Sequence, residues 1–207
     1  MRVEPLARDP EVLLVHDFVT EAETDALVRA ANFQRSATTC VDKAIGCVSD
    51  YRTSWSAYLP SSPTTRAVTE RGIDLSLALG AEDLQVVRYE PGQEFRPHLD
   101  AVDPNSVEGK RELTRFAGRQ RYATLLIYLA GPEAGGATVF PVLGLTVQPR
   151  RRAAVFWRNL LPDGARDRRT LHAGAPVRRG VKYAANLWLR GDGRVQRNGQ
   201  LAAPRWW

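Results

Sequence analysis

Apolar and polar positions change rhythm near residue 80. Before it, Val12-Leu13-Leu14-Val15 is a short apolar strand. Thr20 followed three residues later by Glu23 is the signature of a helix N-terminus, so a helix is predicted over 21–31. Residues 34–50 are polar and turn-rich, and read as a mobile loop. Residues 52–59 alternate in the strand manner. Val68, Ile73, Leu75, Leu77 and Leu79 recur at helical spacing, which predicts a helix from Pro63 to Leu79 closed by Gly80. Beyond 80 the texture is short strands between Gly/Pro turns: 84–89, 122–129, 137–140, 145–148, 153–157, 170–173 and 182–189. Residues 95–100 lead into a polar loop over 101–120. Such a series implies a sandwich or barrel. With no repeat or linker, the expectation is one domain over 1–207: a helix-rich part to 80, a β-core over 81–190 and a short tail over 191–207.

Composition narrows the class. At 207 residues, 43% hydrophobic and 25% charged, the chain is that of a soluble globular protein. No run approaches the ~20 apolar residues of a membrane span, and residues after Met1 lack a signal-peptide stretch. A cytoplasmic protein with no membrane partner is expected. Cys40 and Cys47 are then two reduced thiols; a disulfide between them has no support in the sequence. The net charge of +6 is carried almost wholly by arginine, clustered at 150–152, at 166, 168 and 169, and at 178–179. The clusters lack interleaved aromatics, so they read as solvated loop charge rather than a nucleic-acid surface. Lysine is scarce: Lys43, Lys110 and Lys182 are the only three.

The candidate chemistry lies in His98-Leu99-Asp100, with His172 seventy-two residues past Asp100 and Lys182 ten further on. Two imidazoles and a carboxylate occupy one face of an octahedral ion and leave the other open, the ligand set of non-haem Fe(II). On a strand, residues i and i+2 share a face, so His98 and Asp100 aim together. Taken alone the pair is weak, and His16, beside Asp17, belongs to the structural class. Lys182 supplies a positive charge for an anionic cosubstrate.

The stretch from Leu84 to Asp100, with Tyr89-Glu90-Pro91-Gly92 and Phe95-Arg96-Pro97-His98-Leu99-Asp100, closely resembles the prolyl 4-hydroxylase family of Fe(II)/2-oxoglutarate dioxygenases. So do Arg121 to Leu129 with Gly135-Gly136-Ala137-Thr138-Val139-Phe140-Pro141, Leu171-His172-Ala173-Gly174 through Lys182-Tyr183, and the upstream Arg52-Thr53-Ser54. The resemblance runs from about Leu13 to Leu189. It implies a mainly β (α+β) fold, a double-stranded β-helix or jelly roll with N-terminal helices buttressing the larger sheet. His98, Asp100 and His172 would ligate Fe(II). Lys182, Tyr89 and Thr138 would bind 2-oxoglutarate, with ascorbate as an accessory cofactor. Arg52, Ser54, Arg121 and Trp188 would contact substrate, with the 34–50 loop as a lid.

The resemblance implies hydroxylation of a prolyl residue in a peptide or protein, by a monomer or homodimer. The alternative on the same fold is a free amino acid or small natural-product intermediate. Two departures bear on the choice. Phe95 stands where family members acting on peptidyl proline often carry Tyr, and Arg190 where His is common; the added positive charge is compatible with an acidic or free carboxylate substrate, while peptidyl proline stays the leading expectation. Nucleic-acid demethylation is a poorer match, because those enzymes typically use Arg where this chain has Lys182. An intact triad with its lysine argues against a binding module without turnover.

Overall fold

The computed structural model describes residues 1–36 and 51–191, and the backbone of a small hairpin at 196–197 and 200–201. Cys40, Cys47, most of the 34–50 loop and the end of the tail lie outside the described residues. The chain opens with strands β1 (Arg2–Arg8) and β2 (Glu11–His16), then helix α1 (Glu21–Arg29). Strands β3 (Gln34–Arg35) and β4 (Trp55–Tyr58), helix α2 (Pro63–Ser76) and strands β5 (Gly80–Ala81), β6 (Gln85–Tyr89) and β7 (Phe95–His98) follow. After α3 (Val107–Arg115) come β8 (Gln120–Ala130), β9 (Ala134–Gly135), β10 (Thr138–Phe140), β11 (Leu145–Val147) and β12 (Ala154–Arg158). The last of the core are β13 (His172–Gly174), β14 (Val177–Arg179) and β15 (Lys182–Gly191).

The strands form a jelly roll. A large antiparallel sheet runs β1-β2-β12-β8-β15-β6-β4-β3, with β5 beside β15, and faces a four-stranded sheet ordered β11-β10-β13-β7. β8 reads as an unbroken apolar run because both its faces are buried. Leu125, Ile127 and Leu129 pack with Leu27 of α1 and Val68 of α2, whereas Leu126 and Tyr128 pack with Phe140 and Trp157 between the sheets. The two helices thus buttress the outer face of the large sheet, as expected. α1 begins at Thr20, whose hydroxyl accepts from the Glu23 N–H while the Glu23 carboxylate accepts from the Thr20 N–H.

Several boundaries differ from the pattern. Arg2–Arg8, to which the pattern assigns no element, is an edge strand held by β2. The expected polar loop over 101–120 contains α3, which buries only Gly109 and so carries no apolar stripe to announce it. Its start is legible in hindsight: the Ser106 hydroxyl accepts from the Gly109 N–H. α2 stops at Ser76 rather than at Leu79, because Leu77 adopts a left-handed conformation (φ 59°) and takes the capping role expected of Gly80. The expected strand at 52–59 narrows to Trp55–Tyr58, with Arg52 reaching Phe95 through a single bridge. The strand expected at 170–173 begins only at His172, after a short 3-10 turn over Arg168–Thr170.

Candidate active site

The three candidate metal ligands meet through sheet register. β13 and β7 are antiparallel neighbours, and His172 stands directly opposite His98. β7 is the edge of its sheet, where Pro97 leaves no ladder bond unmade. Asp100 lies just past β7, buried, with its two oxygens each 3.7 Å from one imidazole: Oδ1 from His98 Nε2 and Oδ2 from His172 Nε2. The ligand atoms of all three lie within 4.8 Å of one another.

The rings are oriented from behind. His98 Nδ1 bonds the Arg96 carbonyl at 2.8 Å and His172 Nδ1 the Thr170 carbonyl at 3.0 Å. A carbonyl only accepts, so each Nδ1 carries a hydrogen and each Nε2 is turned to the common centre. Burial, then the neighbouring His172, pushes His98 down to about 3, so its imidazole is neutral and available to a metal. Burial opposes the Asp100 charge, but His172, His98, Arg121 and the Thr124 hydroxyl together hold its carboxyl below the ordinary range. Thr124 Oγ1 donates to Asp100 Oδ2 at 2.6 Å, and Asn159 Nδ2 donates to Thr124 Oγ1 at 2.9 Å. Phe95 stacks on His98 with ring centroids 3.5 Å apart, and Trp157 meets His172 at 4.7 Å. Two imidazoles and a fixed carboxylate converging on one point fit a divalent iron.

Across the cleft, Lys182 is buried and donates to the Gly136 carbonyl at 2.7 Å. Gly136 has φ +69°, and a Cβ there would sit 2.9 Å from Pro132 and 3.4 Å from the Lys182 stem. Only glycine brings its carbonyl to the ammonium without strain. No carboxylate pairs with Lys182 among the described residues, and burial pushes it down to about 8. Its ammonium lies 5.6 Å from the Tyr89 ring centroid and 5.5 Å from that of Tyr128. Tyr128 Oη donates to Thr138 Oγ1 at 2.8 Å. His98, Asp100, His172, Tyr89, Thr138, Lys182 and Trp188 all line one cleft. A buried, unpaired cation facing an open metal site fits an organic dianion bridging the two.

Residues 84–190 match the family model of the 2OG-Fe(II) oxygenase superfamily. The chain belongs to that superfamily. It is 37% identical over 214 residues to human prolyl 4-hydroxylase subunit alpha-3, covering 99% of this chain and 38% of that protein. It is 36% identical over 193 residues to rat prolyl 4-hydroxylase subunit alpha-1, covering 89% and 35%. The chain therefore spans little more than a third of the length of these curated relatives. Among solved structures, the viral collagen prolyl hydroxylase of Paramecium Bursaria Chlorella virus-1, in its 2OG complex, superposes with a TM-score of 0.66 at 28% identity, covering 87% of this chain and 96% of that one. The resemblance to prolyl 4-hydroxylases read from the motifs is thereby shown.

Not every expected residue of this oxygenase domain lies in the cleft. Arg52 and Ser54 are buried behind it: Arg52 Nε donates to Ser54 Oγ at 3.1 Å and Nη2 to Gln85 Oε1 at 3.0 Å. Arg121 forms a two-point pair with Glu82, at 2.6 and 2.9 Å, and its guanidinium lies 3.8 Å from the Trp188 ring centroid. The expectation that Arg190 adds positive charge for an acidic substrate is corrected. Arg190 is buried against Glu82 at 2.6 Å and Glu112 at 2.5 Å, and it anchors α3. The exposed arginine clusters are largely neutralised too, Arg151 by Glu21 and Asp25, Arg152 by Asp17, Arg166 by Asp103 and Arg179 by Glu133. No helix among the described residues is long and apolar enough to cross a membrane. Sequence reasoning passed over Thr124, Asn159 and Tyr128. Their signal was present as polar groups inside the apolar strand β8 (Thr124, Tyr128) and just past β12 (Asn159), a pattern that asks for a partner.

Proposed function

We propose that this domain is an Fe(II)- and 2-oxoglutarate-dependent hydroxylase acting on a prolyl residue in a peptide or protein. The observation that carries the reading is a two-histidine, one-carboxylate triad lining one cleft with a buried lysine that has no carboxylate partner among the described residues. When bound, Fe(II) and 2-oxoglutarate supply the oxidising power that puts one oxygen of O2 into a substrate C–H bond, with succinate and CO2 released.

The chain's own residues place and shield these groups. His98, Asp100 and His172 hold the ion from one side, and the Thr124 hydroxyl keeps the Asp100 carboxylate from turning. Lys182 takes the far carboxylate of the cosubstrate, with Tyr89 and Thr138 as hydroxyl donors. Because Tyr128 already donates to Thr138, the Thr138 hydrogen is free to point at the anion. Val87, Leu126 and Ala184 line the cleft with apolar surface that excludes water. Trp188 offers a flat apolar wall for a proline ring. Arg121 enters the proposal as the brace of that wall, and Arg52 with Ser54 as support acting through Gln85. The relatives' names, prolyl 4-hydroxylase and collagen prolyl hydroxylase, support prolyl peptide over a free amino acid.

The test is direct. Protein supplied with Fe(II), 2-oxoglutarate, ascorbate and a proline-containing peptide should release succinate in step with a gain of one oxygen on proline. His172→Ala should abolish both, together with Fe(II) binding in calorimetry. Preference for free proline over every peptide, or tight metal binding by the variant, would refute the reading.

A further inference from the structure

A line of polar side chains leads from the cleft into the large sheet. Asn186 stands opposite Gln85 in the register of β6 and β15, and its Nδ2 donates to Gln85 Oε1 at 3.2 Å. Arg52 Nη2 donates to the same oxygen at 3.0 Å, and beyond Arg52 lie Ser54 and Ser36, whose hydroxyls share a bond of 2.9 Å. A guanidinium has only donors, so the Gln85 atom it meets is fixed as oxygen. The Asn186 atom that meets this oxygen is then fixed as nitrogen. Asn186 cannot flip, and its remaining polar atom is an acceptor. That Oδ1 has no partner among the described residues, and it is not one of the unpaired polar atoms sealed in the interior.

Position says what the acceptor serves. Lys182, Ala184, Asn186 and Trp188 follow at two-residue steps on one face of β15, and all four line the cleft. At about 3.3 Å per residue, Asn186 stands roughly 13 Å along the strand from Lys182. A five-carbon diacid clasped at Lys182 does not reach it. The neighbour on the far side is Trp188, where the ring of a substrate is expected.

We propose that Asn186 determines substrate specificity: its carbonyl oxygen, locked by Gln85 and Arg52, accepts the backbone N–H of the residue that follows the reacting proline. The inference rests on the prolyl reading above. A peptidyl proline nitrogen carries no hydrogen. Counted from the proline Cα, the nearest N–H along the chain is two bonds away on the next residue, against four bonds on the preceding side. Free proline carries a carboxylate at that place, which a fixed acceptor repels. Asn186 therefore selects peptide over free amino acid.

A chemical double-mutant cycle tests this, pairing Asn186→Ala with a peptide N-methylated on the amide after the proline. Each change alone should lower kcat/KM for hydroxylation roughly tenfold, in line with one lost hydrogen bond. The two together should lower it no further than about tenfold, because both remove the same bond. The loss should appear in KM for the peptide and not in KM for 2-oxoglutarate. Asn186→Ser serves as a second variant if the alanine form is unstable. Losses that multiply to about a hundredfold on a peptide the wild-type protein does hydroxylate would overturn the inference alone. A lower melting temperature with both Michaelis constants raised together would overturn it as well. If the wild-type protein oxidises no proline peptide, the prolyl reading falls, and the inference falls with it.

Discussion

Two buried cations sit on one strand and have opposite surroundings. Lys182 opens β15 and Arg190 lies near its end; each is about as inaccessible as the other, at 3% and 2% exposure. Arg190 meets two carboxylates, Glu82 and Glu112, donates to the Arg119 carbonyl and stacks its guanidinium over Phe116. Lys182 meets a neutral carbonyl and two aromatic rings. A charge removed from water must be paired or it destabilises the fold. At Arg190 the fold supplies the counter-charge itself, and the result is a strut that fixes α3. At Lys182 the fold supplies no counter-charge among the described residues, which is what the proposed cosubstrate site requires. Residue type and burial do not separate the two; the presence of a partner does.

The comparison breaks most sharply at Arg190. Arg190→Met leaves Glu82 and Glu112 without one of their cations and should destabilise the protein by about 3 kcal/mol or more in urea denaturation. Affinity for 2-oxoglutarate should stay as it was; a large loss of that affinity would mean the two cations share one function. Lys182→Met should do the reverse. It removes the charge that awaits the anion, so 2-oxoglutarate affinity measured by calorimetry should fall on the order of a hundredfold. The melting temperature of the unliganded protein should hold or rise, since an unpaired ammonium gives way to an apolar chain of similar length.

A smaller effect follows from pH. Lys182 carries its charge below about pH 8 and loses it above. Affinity for a dianion should therefore be level below pH 8 and fall about tenfold for each unit above it, and Lys182→Met should remove that dependence. Stability of the unliganded fold runs the other way. The folded value of about 8 lies below the ordinary 10.5, so the unfolded chain binds more protons between them, and stability rises with pH across that window. A 2-oxoglutarate affinity that rises from pH 8 to 9 would contradict the assignment of Lys182.

How much of this was legible depended on where the signal resided. β8 announced itself because a strand buried on both faces must be largely apolar, and β15 by its apolar stretch from Tyr183 to Leu189, broken only by Asn186. α1 was legible from Thr20 and Glu23, since a cap is a local hydrogen-bond pattern. α3 was not, because it is held by Arg190 and Glu112 rather than by an apolar face. The triad and Lys182 could be named from motif spacing. The engagement of Arg121 by Glu82, and of Arg52 by Ser54 and Gln85, could not, since those partners are remote in the chain or too common to notice.

The amino-acid order alone settled which residue types were on hand: two histidines and an aspartate spaced for a metal, one conspicuous lysine, and strand-forming runs to carry them. Local rules suffice for that, because caps, turns and alternation act over a few residues. Only the folded arrangement decided that His98 faces His172 across two short strands, that Thr124 rather than any neighbour in sequence steadies Asp100, and that of two buried cations one is matched and the other waits. Those outcomes depend on register and counter-charge, and both are set by segments that meet only when the sheets close.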